Sequence, residues 1–257
     1  MSAVAQANSA RDLAAYERAY AASDFEPVQA RLRRRHLLQW LDAWRPQRWL
    51  EVGCGDAPLF TDWRAFERCV VVEPGGGFSR AAREAAGSDP RITVVQAPME
   101  DAKTALQGER FDVIVASGLL HEVSDDAALL RAIAAHCDGA TRVHLNVPNA
   151  RSLHRLLALE MGLIGDVFER SANQRRLQQP RTFDLASLRA RVQACGFEVT
   201  DAGSYFVKPF THAQMARLQA GGLLDERMLD GLMGLEKHLP GLGSEIYVNA
   251  RLRRGAR

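Results

Sequence analysis

The stretch WLEVGCGDAPLF, residues 49–60, joins a short apolar run to two closely spaced glycines. A strand is predicted to end at Glu51, with Gly53 and Gly55 directly after it. A glycine has no β-carbon, so the backbone can bend sharply there and approach a bound ligand closely. The stretch therefore predicts a strand, a tight turn and a nucleotide-type site.

A second acid follows at the distance that such a site requires. The run CVVVE, residues 69–73, ends in Glu73, which lies 22 residues after Glu51. In βαβ nucleotide folds an acid about 20 residues after the first strand reaches the ribose hydroxyls. The glycines and Glu73 thus point to the same kind of site.

Short apolar runs alternate with amphipathic stretches along most of the chain. Near-continuous β-branched runs are typical of strands that are covered on both faces, as in a parallel sheet with helical crossovers. The last two runs, separated by helical segments, predict an antiparallel edge. The expected fold is α/β, a Rossmann-like mostly parallel sheet with an antiparallel last strand and helices on both faces. The predicted strands are 48–52, 69–73, 92–95, 111–116, 142–147, 196–203 and 245–252.

The chain length suits one large domain with additions. Residues 1–45 are predicted to form an N-terminal helical lid, and residues 46–257 the ligand-binding domain. Helical insertions around 150–182 and 204–243 are expected on the substrate side. The polar stretch SANQRRLQQPR, residues 171–181, has no apolar period and is interpreted as a mobile connection over the site.

The composition and net charge of the chain argue against several classes of function. The net charge of +2, from 33 basic and 31 acidic residues, gives no large field for a polyanion, so no nucleic-acid partner is expected. The four cysteines form no CxxC pair, and no two histidines are spaced i, i+3 or i, i+4, so neither a disulfide framework nor a catalytic metal is expected. The absence of a secretory signal and of an 18-residue apolar run predicts a cytoplasmic protein without a membrane partner.

The residues around the glycines also bear on the choice of ligand. Pro58 stands where a dinucleotide-binding fingerprint has its third glycine. This replacement disfavours binding of a pyrophosphate at the helix N-terminus. An acid before the glycines would repel a phosphate, whereas Glu51 can receive the amino group of a zwitterion, directly or through water. An adenosyl amino acid fits better than NAD.

With these motifs the sequence resembles the class I S-adenosylmethionine-dependent methyltransferase family, of the small-molecule type. LEVGCG resembles the glycine motif of the family, VVVEPG its ribose-binding segment, and FDVIVASGLLHEV its fourth strand and following loop; Ala57 replaces the third motif glycine. The resemblance implies S-adenosylmethionine as cofactor. The residues that it implies for cofactor binding are Glu51, Gly53 and Gly55 for the methionine part, Glu73 and Pro74 for the ribose, the Ala97–Pro98–Met99–Glu100 turn for the adenine, Ser117 and Gly118 after the fourth strand, and Tyr16 and Tyr20 as lid aromatics.

The loop SGLLHEV is predicted to lie at the carboxyl end of the sheet, where open α/β folds bind ligands. His121 in this loop can accept a proton from a hydroxyl or amine during attack on the methyl group. It is the candidate catalytic residue; the alternative is that the loop only packs on the cofactor.

The segment NVPNARSLHRLL, residues 146–157, follows the fifth strand and is rich in donors and acceptors. Asn146, Asn149, His154 and Arg155 are the candidate substrate-binding residues, suited to hydroxyls or a carboxylate. For Asn149 and Ser152, capping of the next helix is an equally good interpretation.

The expected function is methyl transfer to an oxygen or nitrogen of a small polar metabolite, such as a sugar, an amino-acid derivative or a natural-product intermediate. Three alternatives stay open: cleavage or cyclisation of the cofactor's amino-acid side chain with release of methylthioadenosine, an NAD oxidoreductase, and a non-catalytic interaction module. A monomer or a homodimer is expected.

Overall fold

A single seven-stranded sheet organises the chain in the computed structural model, which describes residues 12–21 and 25–253, the side chains of 19–21 excepted. The strand order is β3-β2-β1-β4-β5-β7-β6. The first five strands pair in parallel, and β7 runs antiparallel to both of its neighbours. The predicted fold class is confirmed. The strands are β1 (Arg48–Val52), β2 (Arg68–Val72), β3 (Ile92–Val95), β4 (Val113–Ser117), β5 (Arg142–Pro148), β6 (Phe197–Tyr205) and β7 (Glu245–Leu252).

Helices connect the strands and precede the sheet. The described helices are α1 (Leu13–Ala21), α2 (Glu26–Trp44), α3 (Gly76–Ala86), α4 (Asp126–Ala134), α5 (Leu153–Glu160), α6 (Ala172–Arg176), α7 (Leu185–Ala194), α8 (His212–Ala220) and α9 (Glu226–Gly234). Helices α8 and α9 lie between β6 and β7 in the chain, as the sequence predicts for the second insertion.

Side chains that cap the helices explain several of the boundaries. From sequence, the residue types of Ser124, Asp184 and Thr211 predict N-caps. Asp184 and Thr211 each accept a hydrogen bond from the backbone N–H three residues on. The prediction is wrong for Ser124, because the adjacent Asp125 caps α4 with a 2.8 Å hydrogen bond from Ala128 N. Ser171 forms a capping box with Gln174, so the polar stretch contains a short helix despite having no apolar period.

Alternating strand residues fill two layers of core, one on each face of the sheet. Val70 and Val72 of β2 pack into the cluster that also holds Leu130 of α4. Val71, between them, packs into the cluster on the opposite face with Leu41 of α2. Because both faces are covered, β2 has apolar residues at consecutive positions, Val70, Val71 and Val72.

The strand order changes direction between β1 and β4: β2 and β3 lie on one side of β1, and β4 and β5 lie on the other. The connections after these two strands therefore diverge and leave a crevice at their carboxyl ends, which is where ligands bind in open α/β sheets. Within the described part of the chain, no helix is long and apolar enough to cross a bilayer.

Candidate active site

The loop after β1 has the backbone that its glycines predict. Gly53 and Gly55 have φ values of +75° and +57°, in the left-handed region that disfavours other residues. A β-carbon at Gly53 would lie 3.2 Å from Leu119, whereas one at Gly55 would meet no atom within 4 Å and would project into open space. Gly53 therefore allows close packing between two loops, and Gly55 keeps the cavity wall free.

Glu73 holds this loop in place from the end of β2. Its Oε2 accepts hydrogen bonds from Cys54 N at 3.0 Å and Gly55 N at 3.2 Å, and its Oε1 accepts one from Gly75 N at 2.7 Å. The side chain is buried, and burial raises the pKa of its carboxyl group. The acid therefore shapes the glycine loop while it lines the cavity.

Glu51 is a second buried carboxyl group in the same wall. Leu59 N donates to it, at 3.0 Å from Oε2 and 3.2 Å from Oε1. Burial raises the pKa of Glu51 to about 8, although the hydrogen bond and the charge of Arg34 oppose the shift. A cationic group brought into the cavity would favour the ionised form, so Glu51 suits the amino group of an amino-acid ligand.

Arg34 of α2 fixes the outer part of the glycine loop. Its guanidinium donates to Pro58 O at 2.7 Å, to Ala57 O, and to the carboxylate of Asp62. The sequence gives no sign of this role, because Arg34 belongs to the run RLRRR, where a solvated surface is the default interpretation. The backbone that follows the two glycines is thus clamped by the second helix.

The loop after β4 brings the candidate base to the cavity. Ser117 and Gly118 line the cavity, and His121 follows with an exposed fraction of 4%. His121 Nε2 lies 3.7 Å from Glu122 Oε1. A carboxylate at this distance stabilises an imidazolium, which forms when the imidazole takes up a proton.

Helix α1 closes over this loop. Tyr16 OH donates to Glu122 Oε1 at 3.1 Å, and its ring meets the ring of Phe78 edge-on at 6.3 Å. Glu17 accepts a hydrogen bond from Gly77 N at 3.1 Å. Tyr16 lines the cavity, and its role as a lid residue stays a prediction; the side chain of Tyr20 lies outside the described residues.

Of the two candidate asparagines at the end of β5 and just after it, one lines the cavity and the other does not. Asn146 is fully buried and donates to Tyr205 OH at 3.1 Å, outside the cavity wall. Asn149 lines the cavity, but its amide holds a neighbouring loop through Gly241 O at 3.0 Å and Gly243 O at 2.8 Å. Both side chains thus hold the framework in place, and neither amide is directed to a ligand.

His154 and Arg155 of α5 both line the cavity. Arg155 donates to Val167 O at 2.6 Å and 2.9 Å and to Glu169 O at 2.5 Å, so it fixes the loop that follows its helix. His154 Nδ1 is buried and has no hydrogen-bond partner among the described residues. Of the four predicted substrate residues, His154 is the one whose side chain remains available to a ligand.

The turn after β3 lies apart from this cavity. Pro98, Met99 and Glu100 are not among its lining residues, and Met99 is buried in the core. The turn follows a strand at the edge of the sheet, and two strands, β2 and β1, separate this strand from β4. Its predicted contact with the adenine therefore stays a prediction.

A buried polar network that includes two residues of α2 forms a further wall of the cavity, called the far wall below. Most of this network was not predicted from the sequence. Gln29 and Arg33 both donate to Glu245 Oε1 at 2.7 Å. Gln29 Oε1 lies 2.9 Å from both Lys208 Nζ and His212 Nε2. The available signal was a single lysine inside the apolar run YFVKPF. All these residues line the same cavity.

The cavity has a volume of about 970 Å³ and extends from the glycine loop to α5 and α8. Ligand pockets range from roughly 300 to 1,000 Å³, so this cavity lies at the upper end. It joins the predicted cofactor residues to His121 and His154. Within residues 12–21 and 25–253, no group of three or more His, Cys, Asp or Glu residues forms a metal site.

Comparison with known proteins agrees with this architecture. A family model described as a methyltransferase domain matches residues 24–202. No curated protein sequence matches the chain significantly. The chain belongs to the methyltransferase domain family, and it is a class I S-adenosylmethionine-dependent methyltransferase.

Solved structures with the same fold are distant in sequence. A structure described as the complex between the Haloferax volcanii Trm112 methyltransferase activator and the putative methyltransferase has a TM-score of 0.60 at 12% identity, covering 93% of this chain and 98% of that chain. A methyltransferase of Thermotoga maritima, described as a possible histamine N-methyltransferase, has a TM-score of 0.57 at 16% identity, with coverages of 93% and 99%. The plantazolicin methyltransferase BamL has a TM-score of 0.57 at 11% identity, with coverages of 94% and 96%. At these identities the likeness establishes the fold alone.

Proposed function

We propose that this protein transfers the methyl group of S-adenosylmethionine to an oxygen or nitrogen atom of a small polar metabolite. The observation that carries the proposal is the continuous cavity of about 970 Å³, which has a cofactor-type wall at one end and a polar, buried wall at the other. The cavity is at the upper end of the size range of ligand pockets, and the proposal places the acceptor beside the cofactor in it.

The residues of the first wall fit the cofactor. Glu51, Gly53 and Gly55 are assigned to its methionine part, and Glu73 with Pro74 to its ribose. Glu73 already accepts three backbone hydrogen bonds, and each carboxylate oxygen can accept more than one. Ser117 and Gly118 form the adjoining wall, and Tyr16 covers it. When bound, the cofactor supplies a methyl group that is already activated on a sulfonium.

The main task of the protein is then to position the cofactor and the acceptor relative to each other. Two reactants held in line lose little further entropy at the transition state, and a closed cavity excludes competing water. Tyr16 and Gln179 both donate to Glu122 and so join two covering segments above His121. This arrangement confines the acceptor next to the residue that takes up its proton.

His121 is assigned as the general base. It is buried in the cavity wall after β4, and the carboxylate of Glu122 lies 3.7 Å from its Nε2. Proton transfer by a positioned histidine contributes about 10²- to 10⁴-fold to a rate. The proton leaves the acceptor hydroxyl or amine as the new bond to carbon forms.

The proposal also includes domain roles, partners and assembly. Residues 1–45 act as a lid, and the insertions around 150–182 and 204–243 build the acceptor wall of the domain 46–257. The partner is a small-molecule substrate, with neither nucleic acid nor a membrane involved, and the protein acts as a monomer or homodimer in the cytoplasm.

The test is to incubate the purified protein with S-adenosylmethionine, with and without a bacterial small-molecule extract, and to identify the sulfur-containing product by mass spectrometry. Adenosylhomocysteine that appears only with the extract supports methyl transfer. Glu73→Gln should abolish that product, whereas Glu84→Gln, on the exposed face of α3, should not. Methylthioadenosine as the product would overturn the proposal in favour of attack on the amino-acid side chain.

A further inference from the structure

The far wall of the cavity contains an ammonium group with unusual surroundings. Lys208 has an exposed fraction of 1%, and its Nζ donates to Gln29 Oε1 at 2.9 Å. Among the described residues no carboxylate oxygen lies within ion-pair distance of this nitrogen. A buried charge is normally paired, because removing it from water is costly.

Two imidazoles lie beside this ammonium. His212 Nε2 is 2.9 Å from the same oxygen of Gln29, which makes it a second donor to one acceptor. His154 Nδ1 is buried without a partner in the described structure. Burial, followed by the charges of Lys208 and His212, holds the pKa of His154 well below its usual value. Three nitrogen groups thus converge on one part of the cavity.

The backbone holds Lys208 in this position under strain. Phe206, two residues earlier, has a φ of +59°, which is unfavourable for a bulky residue. Ser244 N donates to Phe206 O at 2.8 Å, and Val207 N donates to Leu232 O at 3.0 Å. Strain that the surroundings enforce in this way is concentrated at functional sites.

The acidic and basic groups next to these imidazoles are also buried. The guanidinium of Arg33 lies 2.7 Å from Glu245 and 3.3 Å from Glu26, whereas burial raises the pKa of Glu26 and lowers the pKa of Lys208 to about 7. The imidazole of His212 lies 3.9 Å from Glu26 and, because burial keeps its pKa low, is neutral. An anion that enters the cavity therefore favours the protonated forms of the groups around it, first Lys208 and then the two imidazoles.

We propose that Lys208, His154 and His212 form the binding site for an anionic oxygen group of the methyl acceptor, a carboxylate or a phosphate. The inference rests on the proposed function and deepens it, because it makes the acceptor a small acid rather than a neutral metabolite. Lys208 supplies the charge, and His154 and His212 supply directed donors once protonated. The hydroxyl or amine of the same molecule then faces His121.

The test uses the full chain saturated with adenosylhomocysteine, at constant ionic strength. Imidazole ¹⁵N resonances are assigned with His154→Gln and His212→Gln, and the protein is titrated with acetate, inorganic phosphate, methylammonium and acetamide at millimolar concentrations. The proposal expects saturable shifts of the His154 and His212 resonances with acetate or phosphate, and none with methylammonium or acetamide. Saturation by acetate alone identifies a carboxylic acid, and saturation by phosphate alone identifies a phosphate ester.

Variants of two lysines complete the experiment. Lys208→Met should weaken anion binding about tenfold or more, without a lower Tm, because it removes a buried charge that has no ion-pair partner. Lys237→Met is the matched control on an exposed site and should leave anion binding unchanged.

Three results would overturn the proposal: no saturable shift with either anion, saturation by methylammonium, or equal anion binding by Lys208→Met and the wild type. The titration of the wild type tests the proposal even if a variant does not fold. Bound adenosylhomocysteine and methyl transfer in the absence of any anion response would leave the proposed function standing and remove this inference alone.

Discussion

The hydroxyl of Tyr16 donates a hydrogen bond of 3.1 Å to Oε1 of Glu122, and this contact joins helix α1 to the loop after β4. The same oxygen accepts a hydrogen bond of 3.0 Å from Gln179 Nε2. One buried carboxylate therefore connects three segments that are far apart in the chain. All three segments line the cavity, so the N-terminal helix is part of the cavity wall.

The first prediction concerns this contact. Tyr16→Phe removes the hydroxyl and keeps the ring that packs against Phe78. One hydrogen bond contributes about 0.5–1.5 kcal/mol, so adenosylhomocysteine should bind roughly 2- to 10-fold more weakly by calorimetry. Tyr247→Phe, outside the cavity wall, should not change the affinity. Equal affinities of Tyr16→Phe and the wild type would show that α1 does not act as a lid.

The second prediction follows from the raised pKa of Glu51, which is about 8 because the group is buried. A ligand ammonium pairs with the ionised carboxylate, and the ionised fraction increases with pH below the pKa. The affinity for adenosylhomocysteine should therefore rise by up to about tenfold per pH unit between about pH 6 and 7.5. In Glu51→Gln the affinity should be lower and nearly independent of pH. A parallel pH profile of the two proteins would contradict the assignment.

The same group gives a third prediction, on stability. The folded protein keeps the Glu51 proton up to a pKa of about 8, whereas the unfolded chain loses it near the ordinary value of 4.5. The unfolded state therefore binds fewer protons between these values, and the free energy of unfolding decreases as pH rises through this window. Chemical denaturation of the ligand-free protein should show a smaller decrease for Glu51→Gln. A decrease as large as that of the wild type would mean that Glu51 is ionised in the folded state.

The fourth prediction separates backbone strain from access to the cavity. Gly55 and Gly222 have φ values of +57° and +73°, and an added β-carbon at either meets no atom within 4 Å. Alanine in the left-handed region costs about 1–2 kcal/mol, so both Gly→Ala variants should have a similarly lowered Tm. Only Gly55→Ala should weaken adenosylhomocysteine binding, because only Gly55 lines the cavity. Unchanged binding by Gly55→Ala would place the ligand elsewhere.

The fifth prediction addresses the base. His121→Gln should lower kcat by about 10²- to 10⁴-fold with the acceptor from the extract, and should change the affinity for adenosylhomocysteine little. His238→Gln, at an exposed position, is the control. A change in KM with kcat preserved would mean that His121 only packs against the ligands.

Much of the architecture could be predicted from local pattern. The bounds predicted for β1, β3 and β7 agree with the observed ones, because short runs rich in apolar and β-branched residues are typical of strands. Gly53, Gly55 and Glu73 could be placed at one site, since the carboxyl ends of neighbouring parallel strands meet. Helix caps were less certain, because adjacent Ser124 and Asp125 both suit the role and only the structure shows which one accepts the bond.

The acceptor wall could not be predicted in this way. Asn146 and Asn149 suit a polar ligand by type, but their amides are used by Tyr205 and by the loop at 241–243. Arg155 likewise serves the loop after its own helix. A sequence shows which side chains can form hydrogen bonds, whereas the partner depends on which other segment lies within reach.

The sequence by itself determined the sheet, the glycine turn and the acid of the second strand, because strand burial and turn geometry depend on residues close together in the chain. Only the tertiary structure placed Gln29 beside Lys208 and Arg33 beside Glu245, pairs separated by 179 and 212 positions. No periodicity links such residues. Their proximity arises when β7 inserts next to β5 and carries the preceding helices over α2, which is a property of the whole fold.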